Sequence, residues 1–223
     1  MNLLAIEAAT EWLSLAVSVG GEVHERSLHA GHRHAELILG EIDGLLGRVR
    51  IGVGELHGIA FGAGPGSFTG LRIACGVAQG IAAARRLPLL GIGTLVALAS
   101  AAAAPRVVAC LDARMGEVYH AAYEQRRDGL HEVIPPGLHR PDEVPLPAGD
   151  GWVGCGAGFA TQRAPLTARY GARLAAVLPE VFPSAAAIVR LAAPRFAAGE
   201  GGEPPAATPF YLRDRVALKT RER

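Results

Sequence analysis

Four groups of residues have the types and spacing to do chemistry. The first is the run Gly62-Ala63-Gly64-Pro65-Gly66-Ser67-Phe68-Thr69-Gly70, followed by Leu71 and Arg72. A glycine-rich turn between a strand and a helix is a candidate anion or nucleotide contact, because free amide N–H groups at the helix start point toward the turn. Ser67 and Thr69 would add hydroxyls and Arg72 a charge. The run is not a Walker-type phosphate loop, since no lysine follows Gly70, and not a nucleophile elbow, since Ser67 has Pro65 and Thr69 where glycines are required. Gly64, Gly66 and Gly70 come closer to a dinucleotide fingerprint, but Pro65 separates the first two and the unit comes late in strand order. The plainer alternative is that these glycines shape a tight turn and let two elements pack closely.

The second group is Glu7, placed after the first strand, where a phosphoryl-transfer fold could hold a magnesium-binding carboxylate. The third is His29, His32 and His34. The residue four after His34 is Ile38 and the one four after His32 is Glu36, so His32 and Glu36 form the one conceivable ligand pair at helical spacing. The fourth is Asp112 with Arg114, which reads equally as a site pair, a turn or a surface ion pair. The first three groups each lack a member that their chemistry needs and the fourth leaves its alternatives open, so no catalytic residue and no metal site are assigned.

Composition narrows the field further. The chain has 223 residues, 22 basic and 21 acidic, a net charge of +1, and is 50% hydrophobic. A chain of this length buries roughly 70% of its unfolded surface, so it folds as one large or two small domains. Near-zero net charge argues against duplex binding driven by counterion release. Lys219 is the only lysine, which removes Schiff-base and lysine-base chemistry from all but one position near the end. Cys75, Cys110 and Cys155 are widely spaced, with no C-x-x-C pair, as in a reducing compartment. Without a basic leader or an uninterrupted apolar span, the chain is expected to be cytoplasmic and to have no membrane partner.

The elements that would position these groups follow from periodicity. Leu3 to Ile6, Leu13 to Val19 and Val23 to Leu28 read as a three-stranded meander with a hairpin at Gly20-Gly21. Ala35, Ile38, Ile42, Leu45 and Leu46 define a helix that Gly47 ends. Leu56 to Phe61 is a buried strand entering the glycine-rich turn, and a second helix begins at Leu71. Leu89 to Ile92 is a strand, and Thr94 can cap the helix that follows. The division falls at Pro105, giving an N-terminal unit of 1–104 and a C-terminal unit of 105–223 whose terminal segment can pack back on the first. The second unit reads as strands Arg106 to Leu111, Glu117 to Tyr123 and Gly151 to Cys155, with a helix from Ser184 to about Phe196. Ile134 to Gly151, with five prolines, reads as loop with at most an edge strand. Both halves begin strand-first and end in helix, which permits a duplicated α/β fold.

Gly76 and Gly80, with Ala74 and Ala78, give the second helix a smooth surface. Glycine inside a helix costs about 1 kcal/mol against alanine, so a close neighbour is expected there, in the same chain or in another.

Taken in order, Leu3 to Thr10, the GPGSFTGLR run of Gly64 to Arg72, the DARMGEVY run of Asp112 to Tyr119, and Tyr211-Leu212-Arg213 resemble the TsaB (YeaZ-type) family over almost the whole chain. The resemblance implies two subdomains of the actin-like, sugar-kinase and heat-shock ATPase fold, each with a ribonuclease-H-like sheet. It implies a non-catalytic scaffold that takes part in adding threonylcarbamoyl to an adenosine of tRNAs that read codons beginning with adenine. The implied partners are a TsaD-like catalytic subunit, in a heterodimer, and a TsaE-like ATPase. ATP and metal are expected on those partners, with no cofactor on this chain, and tRNA is reached through the complex. A homodimer is expected in isolation. The family's dimer surface is carried by the first two helices, here through His34, Ile38, Ile42, Leu71, Ala74, Gly76, Val77 and Gly80. Glu7 stands where the family usually has Asp, and Ile38 stands where TsaD-like relatives have the second histidine of a metal pair. A small-molecule kinase or ATPase using Glu7 and the glycine-rich turn is the competing reading. A metal-dependent peptidase is a third.

Overall fold

The computed structural model describes residues 1–213. Lys219 and the arginines at 215, 221 and 223, like the rest of the terminal segment after Arg213, lie outside the described residues.

The first sheet is built from β1 (Leu3–Glu7), β2 (Trp12–Val19), β3 (Glu22–His29), β4 (Gly58–Gly64) and β5 (Leu89–Gly93), in the order β3-β2-β1-β4-β5. β1 pairs antiparallel with β2 and parallel with β4, and β4 pairs parallel with β5. Gly20 and Gly21 turn the β2–β3 hairpin with φ of 59° and 93°, the backbone that a two-residue hairpin turn demands. The second sheet contains β6 (Arg106–Asp112), β7 (Val118–Arg126), β8 (Gly129–His139), β9 (Trp152–Cys155) and β10 (Leu174–Leu178), in the order β10-β9-β6-β7-β8. Counted from the first strand of each half, the two orders and the strand directions are the same. The chain is a duplicated α/β fold of two ribonuclease-H-like sheets.

The helices cover the sheets in layers. α1 (His34–Arg48) and α2 (Phe68–Arg85) lie on one face of the first sheet, where Ile38, Ile42, Leu45 and Leu46 meet Leu4, Leu15 and Phe61. Each such side chain contributes about 1.5–3 kcal/mol relative to exposure. The other face is lined by the small side chains of Ala5, Ala16 and Ala60, which let α6 (Ala185–Ala197) approach through its own alanines. Ser14 of β2 accepts the N–H of Ala185 at 2.8 Å and fixes the start of α6. α3 (Thr94–Ala102) turns Leu95 and Leu98 onto the second sheet, so α3 and α6 form a layer between the sheets. α4 (Ala157–Thr161) and α5 (Arg163–Tyr170) close the far face with Phe159, Leu166 and Tyr170. α6, though it follows the second sheet, therefore packs on the first.

Several elements differ from the sequence expectation. α2 begins at Phe68, so the end of the glycine-rich run is helix, capped by Ser67, whose Oγ accepts the N–H of Gly70 at 3.3 Å. Thr94 is the first residue of α3 rather than its cap, and its hydroxyl accepts the Gly64 N–H at 3.1 Å. β8 is the edge strand that the sequence expectation allowed, but it begins at Gly129 and shifts register against β7 at Pro135-Pro136, a place where an edge strand tolerates proline. α4, α5 and β10 fall in a stretch with no assigned element.

Candidate functional site

The glycine-rich turn sits at the carboxyl end of β4, beside the turn that joins β1 to β2. Three of its donors are used within the chain: Gly64 N–H bonds Thr94 Oγ1 at 3.1 Å, Ser67 N–H bonds the Ala9 carbonyl at 2.7 Å, and Gly70 N–H bonds Ser67 Oγ. A Cβ on Gly66 would come within 2.6 Å of the Ala9 carbonyl oxygen, and one on Gly70 would overlap the Ala8 carbonyl oxygen. Gly64, at φ 109°, faces the Phe210 carbonyl in the same way. Close packing of three chain segments thus accounts for all three glycines. Thr69 is exposed at the helix start. Arg72 lays its guanidinium over the Phe68 ring at 3.7 Å and donates from Nε to the Tyr211 hydroxyl at 3.2 Å.

Glu7 ends β1 below this turn and is 1% exposed. Its Oε1 accepts the Ala9 N–H at 2.6 Å, while Oε2 has no partner and lies against the bare Cα of Gly62. Burial raises its pKa from 4.5 to about 7, against the smaller opposing pull of the backbone bonds. Between those two values the folded chain keeps a proton that the unfolded chain releases, so stability falls as pH rises through that window. At about 1.4 kcal/mol per pKa unit the loss totals about 3 kcal/mol by pH 8. Glu7→Gln cannot ionise, so its stability relative to the native chain should rise by about that amount between pH 5 and pH 8 in urea titrations. An unchanged difference across the range would show that Glu7 does not titrate there.

The segments carrying the resemblance, distant in sequence, meet at this place. Phe210 N–H bonds the Ala63 carbonyl at 2.6 Å, and Tyr211 stands 5.5 Å from Phe68, ring to ring. Leu212 enters the core of the second sheet. Arg213 then donates to the Ala113 carbonyl at 3.0 Å and pairs with Glu117 at 2.6 Å. The strap of residues 210–213 therefore crosses from the end of β4 to the loop after β6. In that loop Arg114 and Met115 both adopt left-handed backbone, at φ 63° and 55°. Asp112 accepts the Arg114 N–H at 2.8 Å and pairs with its guanidinium at 3.4 Å, so the Asp112 and Arg114 pair is a turn with an ion pair.

The histidine group does not assemble. His34 is 5% exposed, with Nε2 at 3.3 Å from the Trp12 carbonyl, and both carboxylate oxygens of Glu36 are taken by Arg33. Among the described residues no group of three or more His, Cys, Asp or Glu side chains converges on a metal position.

The proposed interface residues separate into two sets. His34, Ile38, Ile42, Leu71 and Ala74 are 0–5% exposed and face the chain's own core, so their side chains have no surface to give a partner. This corrects the expectation that the apolar stripe itself docks, because that stripe is what holds the helices to the first sheet. Gly76 and Gly80 are exposed, and Val77 is half-buried between them. A Cβ on either glycine meets nothing within 4 Å among the described residues, so no intramolecular neighbour there accounts for them. α1 repeats the pattern at Gly40, Gly44 and Gly47, all equally open, beside Leu39 at 62% exposure. The four-residue spacing of Gly40 and Gly44, the same as that of Gly76 and Gly80, was the available sequence signal for the α1 half.

Comparison with known proteins agrees with this architecture. A family model for TsaD, tRNA N6-adenosine threonylcarbamoyltransferase, matches residues 23–157. The tRNA threonylcarbamoyladenosine biosynthesis protein TsaB of Escherichia coli is 34% identical over 98% of this chain and 97% of its own length. The chain belongs to the TsaB family. TsaB of Haemophilus influenzae is 42% identical over 53% of this chain and 52% of its own. YeaZ from Pseudomonas aeruginosa, a solved structure, has a TM-score of 0.88 at 34% identity, covering 95% of this chain and 99% of that one. This TsaB-family chain thus has the two-subdomain fold of its structural relative, with the actin-like arrangement that the duplicated sheets display. Among its described residues no helix is long and apolar enough to cross a membrane.

Proposed function

We propose that the chain is a non-catalytic scaffold in the addition of threonylcarbamoyl to an adenosine of tRNA, acting as the partner of a TsaD-like catalytic subunit. The observation that carries this is the open glycine face of α1 and α2. Gly40, Gly44, Gly76 and Gly80 lie within helices, and a Cβ added at any of them would meet nothing within 4 Å among the described residues, although each costs about 1 kcal/mol relative to alanine. A partner helix approaching backbone to backbone compensates that cost, and exposed Leu39 and half-buried Val77 supply apolar contact around it. The same face pairs two copies of this chain when the partner is absent. The relatives, proteins of tRNA threonylcarbamoyladenosine biosynthesis, support the reaction, and the packing of Gly64, Gly66 and Gly70 against Phe210, Ala9 and Ala8 supports the scaffold role. ATP and metal are placed on the TsaD-like and TsaE-like subunits. Mixing the chain with a TsaD-family subunit tests the reading: a heterodimer on size-exclusion chromatography is expected, and separate elution at micromolar concentration would overturn it.

A further inference from the structure

Seven large apolar side chains are exposed among the described residues, and four of them, Phe68, Met115, Phe210 and Tyr211, stand along the strap and its two anchor points. Their exposures are 36%, 62%, 49% and 38%. A soluble chain that leaves most of its large exposed apolar groups in one strip presents a recognition surface there. Arginines are interleaved with the rings. Arg72 stacks on Phe68, and only its Nε has an acceptor among the described residues. Arg213 bridges Met115 and Glu117, and Arg114 is 84% exposed. The carboxylates in the strip, Asp112 and Glu117, are each already paired with an arginine, so the strip carries a positive balance.

We propose that this strip binds single-stranded RNA, stacking unpaired bases on the exposed Phe210 ring and the Met115 side chain, with Arg72, held over Phe68, and Arg114 at phosphates. Aromatic faces interleaved with arginine are the chemistry that recognises splayed bases, since every base has a π face and every linkage a negative charge. Near-neutral overall charge does not oppose this, because a local strip suffices where stacking supplies much of the affinity. The inference rests on the proposed function for its choice of occupant. An adenosine acylated at N6 has to offer an edge that pairing would engage, so the substrate presents that base in a loop rather than a duplex.

The test is fluorescence anisotropy of the full-length chain with two probes: an RNA stem–loop carrying adenosine in its loop, and a blunt duplex of the same stem. The stem–loop is expected to bind more tightly, with affinity falling as salt rises. Phe210→Ala and Met115→Ala should each weaken it about five-fold or more, while Phe210→Trp should restore it. The Phe210 side chain is the one to change, because the strap itself is held by the backbone N–H of that residue. Equal binding of the two probes, no binding, or alanine variants that bind like the native chain would overturn the proposal. So would variants that lose the catalytic partner but keep RNA, which would make the strip a protein interface. Heterodimer formation through the glycine face reads the proposed function separately, so failure of one does not mimic failure of the other.

Discussion

Gly76→Leu and Gly80→Leu chains should run as monomers on size-exclusion chromatography under conditions where the native chain pairs with a TsaD-family subunit. The side chain would project into space that is open among the described residues and that the proposed interface fills with another helix. Overpacking a close contact costs about 1–3 kcal/mol, which weakens association about 5- to 150-fold. The same substitutions should leave the isolated chain at least as stable, because replacing a mid-helix glycine recovers up to about 1 kcal/mol of helix propensity. That opposite movement separates an interface from a packing defect. If the variants unfold more easily than the native chain, the glycines serve an internal contact. If they pair normally, the docking face lies elsewhere.

Gly70→Ala should do the reverse, destabilising the chain severely. The added methyl would overlap the Ala8 carbonyl oxygen and crowd its carbonyl carbon at 3.0 Å, and both neighbours are backbone that cannot rotate away. Either the β1–β2 turn or the start of α2 must shift, breaking the bond from Ser67 N–H to the Ala9 carbonyl. The expected cost is about 3 kcal/mol, the upper end for overpacking. For a chain of this size that lowers the melting temperature by roughly 6–12 °C. A variant melting with the native chain would remove the packing account and restore the turn as an anion-binding candidate, since glycines kept for a ligand leave stability alone.

The first sheet was legible because its signals are local. Alternation in β2, the Gly20-Gly21 turn and the 3.6-residue spacing of Ile38, Ile42 and Leu45 each fit within one element. The second half hides its duplication. α4 has five residues, α5 carries Pro165 in its first turn, and β10 alternates too weakly to show a buried face. Where the first half has α1, the second has the proline-rich stretch after β8, so the shared strand order appears only once the strands are paired. The site was half legible for a similar reason. Gly64, Gly66 and Gly70 announce close approach, but whether an anion or another segment approaches depends on Ala8, Ala9 and Phe210, contacts that span up to most of the chain. His34, Ile38 and Ile42 read as a stripe without indicating which side of it meets the protein. Phe68, Met115 and Phe210 look like ordinary apolar residues until the strap brings them to one surface.

As the proposed scaffold, this chain is required for threonylcarbamoyl transfer without performing it. The direct measurement is incorporation of threonylcarbamoyl into tRNA with the chain alone, with the TsaD-like and TsaE-like subunits, and with those subunits in its absence. Product is expected only in the complete mixture, and it should be lost when Gly76→Leu replaces the native chain. Product from the chain alone would make it the catalyst, and undiminished product without it would show that the reaction needs no such scaffold; either result overturns the proposed function.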